Sequence, residues 1–119
     1  MKVPSKKKLA IHQSDKVKFI NLSEVVCFEA SNNYTDIYTY ETKKYNTSKV
    51  LKDYEDFLPE SKNFIRLNKS VIINVNYIDH YSKGDPCIVY MKNKQKFEVS
   101  RRRKKEINDI LQKLVLGKK

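Results

Sequence analysis

Three short polar clusters carry the side chains best suited to chemistry in this 119-residue sequence. They are Asn32-Asn33-Tyr34-Thr35, Asn68-Lys69-Ser70 and Arg101-Arg102-Arg103-Lys104-Lys105. An asparagine amide can bind adenine N6 and N7 together, a threonine methyl can meet a thymine methyl, and a guanidinium fork matches guanine O6 and N7. A lysine between an amide and a hydroxyl offers a cation for base edges and a donor for phosphate. In the third cluster Arg102 is the best base reader, with Arg101 and Arg103 gripping phosphates on either side. Each cluster also has a plainer explanation. Asparagine tolerates left-handed backbone and so suits a turn, Lys69 can be an exposed strand-end lysine, and the cationic run can be a solvated surface. Five cations at a helix start oppose the helix dipole at a cost of about a few tenths of a kcal/mol each. Phosphate would offset that cost. Arg66 alternates with apolar neighbours, so it is expected to pair with a carboxylate and not with DNA.

The composition favours an anionic partner. Lys plus Arg number 25 against 14 Asp plus Glu, giving a net charge of +11 and an isoelectric point near 9.6. Residues 1–59 carry 10 basic and 8 acidic side chains; residues 60–119 carry 15 and 6. DNA, RNA and anionic membrane are the candidate partners, with a lysine-rich solubility surface as the alternative. At 14.1 kDa, 39% hydrophobic residues and a mean hydropathy of -0.70, the chain is expected to form one domain with a genuine core. No apolar run approaches the roughly 20 residues that span a bilayer, and no signal-type stretch follows the charged start, so a soluble cytoplasmic domain without a membrane role is expected. The two glycines, Gly84 and Gly117, cannot make a phosphate-binding glycine loop. Cys27, Cys87, His12 and His80 have no zinc-finger spacing and make no disulfide framework, so no metal or other cofactor is expected and the cysteines read as small buried side chains. His80 beside Asp79 and Ser82 reads as turn residues and not as a triad, so no catalytic residues are assigned and no enzyme activity is expected.

The elements that must position these clusters are mostly short strands. Residues 1–8 read as a basic leader or linker remnant and residues 9–117 as the folded body. Leu9–His12 and Val17–Ile20 flank the polar turn 13–16 and suggest a hairpin. Glu24–Glu29 is a compact apolar strand. Tyr34–Tyr40 alternates Tyr34, Asp36, Tyr38 and Tyr40 against Thr35, Ile37 and Thr39, with Asn32-Asn33 at the turn before it. Lys43–Thr47 follows a turn at Glu41-Thr42. Val50, Leu51, Tyr54, Phe57 and Leu58 then make one helical stripe, capped by Thr47 or Ser48 and ended by Pro59. Asp53, Glu55 and Asp56 make this an acidic, solvent-facing cover, unsuited to approach DNA. Strands are expected at Phe64–Leu67, Ser70–Val75, Ile78–Tyr81, Pro86–Met91 and Gln95–Ser100, with turns at Asn68-Lys69, 82–85 and 92–94. Ile107, Ile110, Leu111 and Leu114 make a second helix, capped by Ser100 and closing at Gly117.

Three motifs in this order resemble one family. The stretch 19–34, FINLSEVVCFEASNNY, resembles the opening signature of LytTR DNA-binding domains. The stretch 64–78, FIRLNKSVIINVNYI, resembles their central motif, aromatic-x-Arg-x-His-x-Ser-x-x-Val-Asn. Lys96–Arg102, KFEVSRR, resembles the strand that ends in Val-Ser-Arg. With matching intervals they cover about residues 9–115. The resemblance implies a mostly β, elongated multi-sheet LytTR-like fold with one central helix and a C-terminal helix. It implies that loops at one edge, not a recognition helix, read successive major grooves. Such domains serve as output modules of response regulators of the LytR/AgrA type in two-component systems. They bind direct-repeat promoter elements as tandem or dimeric copies and bend the DNA. A receiver domain does not fit in this length beside the body, so the chain reads as the C-terminal part of a regulator or a free-standing member. The family's first reading loop falls on Asn32, Asn33, Tyr34 and Thr35. The residue before the central Ser reaches base edges, which passes that role to Lys69. Two departures stand out: Asn68 replaces the usual His, and Glu41-Thr42 replaces an Asp-Gly turn. The rival readings are a ribosome-associated RNA binder that stacks bases on Tyr34, Tyr38 and Tyr40, and a charged interaction module without nucleic acid.

Overall fold

The computed structural model describes residues 8–41, 43–58 and 63–117, the last three by backbone alone. Most of the expected basic leader, the helix stop at Pro59 and Thr42 lie outside the described residues. Lys8, placed in the leader from sequence, already belongs to the first strand.

Among the described residues ten strands and two helices follow one another: β1 (Lys8–His12), β2 (Val17–Asn21), β3 (Val25–Ser31), β4 (Tyr34–Thr39), β5 (Lys44–Thr47), α1 (Leu51–Phe57), β6 (Phe64–Asn68), β7 (Val71–Asn74), β8 (Ile78–Ser82), β9 (Ile88–Met91), β10 (Lys96–Glu98) and α2 (Lys104–Gly117). Single 3₁₀ turns at Leu22–Glu24, Val75–Tyr77 and Arg101–Arg103 join elements where the apolar alternation breaks. The fold is mostly β, as expected. A five-stranded antiparallel sheet in the order β5-β4-β3-β7-β6 is the backbone of the molecule, with β1-β2 and β10-β9-β8 as smaller sheets.

The central sheet separates two cores. Period-two alternation sends Phe28, Ile37 and Ile72 to one face, where Leu51 and Tyr54 of α1 and Leu9, Ile11 and Ile20 of the β1–β2 hairpin cover them. Cys27, Ile65, Leu67, Val71 and Ile73 point the other way. Against them pack Val89 and Met91 of the small sheet and Ile107 and Leu111 of α2. Phe28, buried completely, holds Tyr54 at a ring-centroid distance of 5.0 Å. Truncating Phe28 would cost about 3–5 kcal/mol. Both cysteines are buried and free, as the sequence indicates; burial drives the Cys27 thiol far up from its ordinary range, with the Glu29 carboxylate adding to it.

Some local expectations change. The first helix is shorter than its apolar stripe: Val50 is its N-cap residue, with no side-chain bond there, and Val50 and Phe57 are exposed. Thr47 is unavailable as a cap because its hydroxyl donates to the Thr35 carbonyl and accepts from Tyr54. Asp79, His80 and Ser82 belong to β8 and not to a turn; His80 binds Asp79 at 2.6 Å and stacks on Tyr90. Ser100 does cap, accepting from the Arg103 amide at 3.3 Å.

Candidate nucleic-acid interface

Strand directions bring the three polar clusters to one end of the molecule. β3 and β4 are antiparallel with Ser31 opposite Tyr34, so the Asn32-Asn33 turn closes that end. Asn32 adopts φ 59°, the left-handed conformation that asparagine accepts more readily than other residues with a side chain. β7 runs antiparallel to β3, and the Ala30 amide donates to the Ser70 carbonyl at 2.8 Å, which places the β6–β7 turn beside the first. β6 and β10 end together: the Ser100 amide donates to the Leu67 carbonyl at 3.0 Å, and the Asn68 side-chain amide donates to the Glu98 carbonyl at 2.6 Å. The Arg101–Arg103 turn therefore follows directly on the Lys69 turn.

The second and third clusters share a groove of about 610 Å³ lined by residues 98–103 together with Arg66, Asn68, Lys69 and Ser70. Lys69, Ser70, Arg101 and Arg102 are exposed there. Arg103 is half-buried, and one of its terminal nitrogens donates to the Arg66 carbonyl at 3.3 Å. The turn carrying Lys69 is bound from beneath by Arg66, which donates to the carbonyls of Asn68 (3.0 Å) and Lys69 (2.9 Å) and pairs with Glu55 at 2.6 Å. Arg66 thus takes the carboxylate partner expected for it, and α1 turns out to supply that carboxylate.

Two of the predicted base contacts are otherwise engaged. Thr35 is completely buried, and its hydroxyl donates to the Lys49 carbonyl at 2.7 Å, because the alternation of β4 turns it into the core. Its methyl is not presented to solvent. Asn68 uses both ends of its amide within the protein, donating to Glu98 and accepting from the Ser70 amide at 2.7 Å. Asn32, Asn33 and Tyr34 are exposed at the first turn, Tyr34 to 48%.

The same strand directions reveal a fourth turn. β9 pairs antiparallel with β10 and β8 with β9, and the Val99 amide donates to the Cys87 carbonyl at 2.9 Å. The β8–β9 turn, with exposed Lys83, therefore emerges beside the arginines. Burial raises the Cys87 thiol while the nearby Lys104 charge draws it down, which records how close the start of α2 lies to this turn. In the sequence Lys83 is one lysine in a turn; the register of two hairpins is the signal that places it at this edge. Glu98 lines the groove as an acid, and nothing in the sequence distinguishes it from the other carboxylates.

Fold and edge together define a class: a small basic β domain whose cationic face is built from loops and not from a helix. Comparison with known proteins identifies the family. The model of the LytTr DNA-binding domain matches residues 15–112. The chain belongs to this family of DNA-binding domains of transcription regulation. The sensory transduction protein LytR of Staphylococcus saprophyticus is 29% identical over 103 residues, which take in 84% of this chain and 39% of that protein. The transcriptional regulatory protein NatR of Bacillus subtilis is 31% identical over 75 residues, covering 63% of this chain and 31% of that protein. The chain thus spans less than half the length of these relatives. The solved structure of a LytTr DNA-binding domain from Bacillus cereus matches with a TM-score of 0.77 over 90% of this chain and 98% of that one, at 24% identity, showing the same fold. Among the described residues no helix is long and apolar enough to cross a membrane.

Proposed function

We propose that this chain binds duplex promoter DNA in a sequence-specific way, laying its loop edge across successive major grooves. The observation that carries this reading is the convergence of clusters near residues 32, 69 and 101 at one end of the fold. Neighbouring strands lie about 4.8 Å apart, so in this row of turns the β3–β4 and β6–β7 turns of the central sheet stand roughly 10 Å apart, and the arginine turn follows from the second sheet. Asn32, Asn33 and Tyr34 enter at one end of the row, Lys69 and Ser70 in the middle, and Arg101 and Arg102 beyond them. Arg102 reads a base by its guanidinium fork, Lys69 reads a base edge as a point charge, and Ser70, Arg101, Arg103 and Lys83 hold phosphates. Thr35 and Asn68 support their loops from within. Two copies, in tandem or as a homodimer, would occupy direct repeats.

The RNA reading is less well supported. Tyr38 is half-buried against the core and Tyr40, just past β4, stacks on Tyr77 at 5.3 Å, so Tyr34, Tyr38 and Tyr40 do not form one open stacking face. Selection of bound sites from random duplexes, followed by competition with single-stranded RNA at about 150 mM salt, tests the proposal. A recurrent motif that resists RNA competition is expected. Preference for single-stranded RNA, or retention of DNA without any salt dependence, would refute it.

A further inference from the structure

Asn68 lines the cationic groove, yet its amide nitrogen and its oxygen are each already bound to a backbone partner within the protein. Its oxygen closes the turn by accepting from Ser70, and its nitrogen crosses to Glu98, the last residue of β10 before the arginine turn. Two more bonds make the same crossing: Ser100 amide to Leu67 carbonyl, and Arg103 side chain to Arg66 carbonyl. Arg66 fixes the carbonyls of Asn68 and Lys69, so the Lys69 backbone is held from both sides. The two turns are 30 residues apart in sequence at their amide contact, and without these crossings each would move on its own strand pair.

We propose that Asn68, assisted by Arg66, is a positioning residue that couples the Lys69 turn to the arginine turn, so that Lys69 and Arg102 present a fixed spacing to the DNA. This rests on the DNA-reading function above. Specificity needs side chains held close to the productive geometry, whereas phosphate attraction tolerates a looser loop. Asn68 therefore controls discrimination at two base positions that it does not touch.

The test measures relative affinities for all single-base variants of the selected site, using the wild type and Lys69→Ala, Arg102→Ala and Asn68→Ala. Lys69→Ala and Arg102→Ala are expected to relax preference at one position each. Asn68→Ala is expected to relax both by about two- to twelvefold, the worth of one net hydrogen bond. The slope of log affinity against log salt should not change, since no phosphate contact is lost. Where Asn68→Ala is unfolded at the assay temperature, Asn68→Asp serves, because it keeps the acceptor for Ser70 and removes the donor to Glu98. Relaxation at neither position, or at only one, overturns the coupling while leaving the DNA reading intact. A wild-type protein that selects no motif overturns the DNA reading itself.

Discussion

Replacing Arg66 by Met removes a guanidinium while keeping an aliphatic stem in its place. The structure assigns that guanidinium three contacts: Glu55 at 2.6 Å and the carbonyls of Asn68 and Lys69 at 3.0 and 2.9 Å. The Arg66 side chain is 19% exposed and that of Glu55 40%, so the ion pair itself is screened and contributes about 0.2–1 kcal/mol. The two bonds to carbonyls come from a charged donor and brace the turn from beneath, at about 1 kcal/mol or somewhat more each. Arg66→Met should therefore cost about 2–4 kcal/mol in urea unfolding. For a domain of this size that is a fall in Tm of about 8–16 °C. Glu55→Gln keeps an acceptor oxygen and loses only the charge, so it should cost less than about 1 kcal/mol. The two effects should be non-additive, because the residues touch. Two results would refute the reasoning: an Arg66→Met cost below about 1 kcal/mol, or a Glu55→Gln cost equal to it. The second would mean that the ion pair, and not the turn, is what Arg66 stabilises.

Other perturbations separate the roles at the edge. Arg102→Ala should lose about 1–3 kcal/mol on the selected site and relax one base position; a uniform loss on all sequences would make it a phosphate contact. Lys83→Ala should weaken all duplexes alike and reduce the salt slope by about 0.9, and an unchanged slope would take the β8–β9 turn away from the DNA. On the central sheet Glu29 faces Asp36 directly across the β3–β4 pair, and burial, with the Asp36 charge second, raises its carboxyl above the usual carboxylate range despite Lys44 nearby. A raised folded-state pKa means the native protein binds this proton more tightly than the unfolded chain. The ionised Glu29 thus costs stability at neutral pH, and the cost is relieved as pH falls through the raised value toward the unfolded one. Glu29→Gln should stabilise by about 0.2–1 kcal/mol at pH 7, with the advantage fading on acidification; a pH-independent difference in urea titrations would contradict this.

Much of the architecture is legible in the residue pattern, for identifiable reasons. The β1–β2 hairpin follows from two alternating runs about a polar turn, and the Asn32 turn from the tolerance of asparagine for positive φ. Ser100 is recognisable as a cap because an apolar helical stripe begins soon after it. A polar side chain in a reading loop does not have to face outward. Thr35 lies one position beyond exposed Tyr34, and in a strand one position reverses the face. The helical stripe from Val50 to Leu58 overstated α1, since Val50 and Leu58 have extended backbone and flank the helix as its caps. Asn68 looked like a reader because amides read bases; its partner, the Glu98 carbonyl, lies on a different sheet and is invisible in sequence.

The amino-acid sequence by itself determined the chemistry available to this protein: a cationic excess weighted to its second half, loops supplied with asparagine, lysine and arginine, and alternating strands long enough for two cores. These are local properties, set by side-chain type and by the two periodicities of the backbone. Only the tertiary structure decided which of those side chains face outward together. Strand order and register put the turns at residues 32, 69, 83 and 101 on one edge, turned Thr35 inward and closed the Asn68 amide on two backbone partners. The physical reason is that a strand's neighbours are chosen by burial across the whole sheet, and a hydrogen bond between distant segments exists only once that choice has been made.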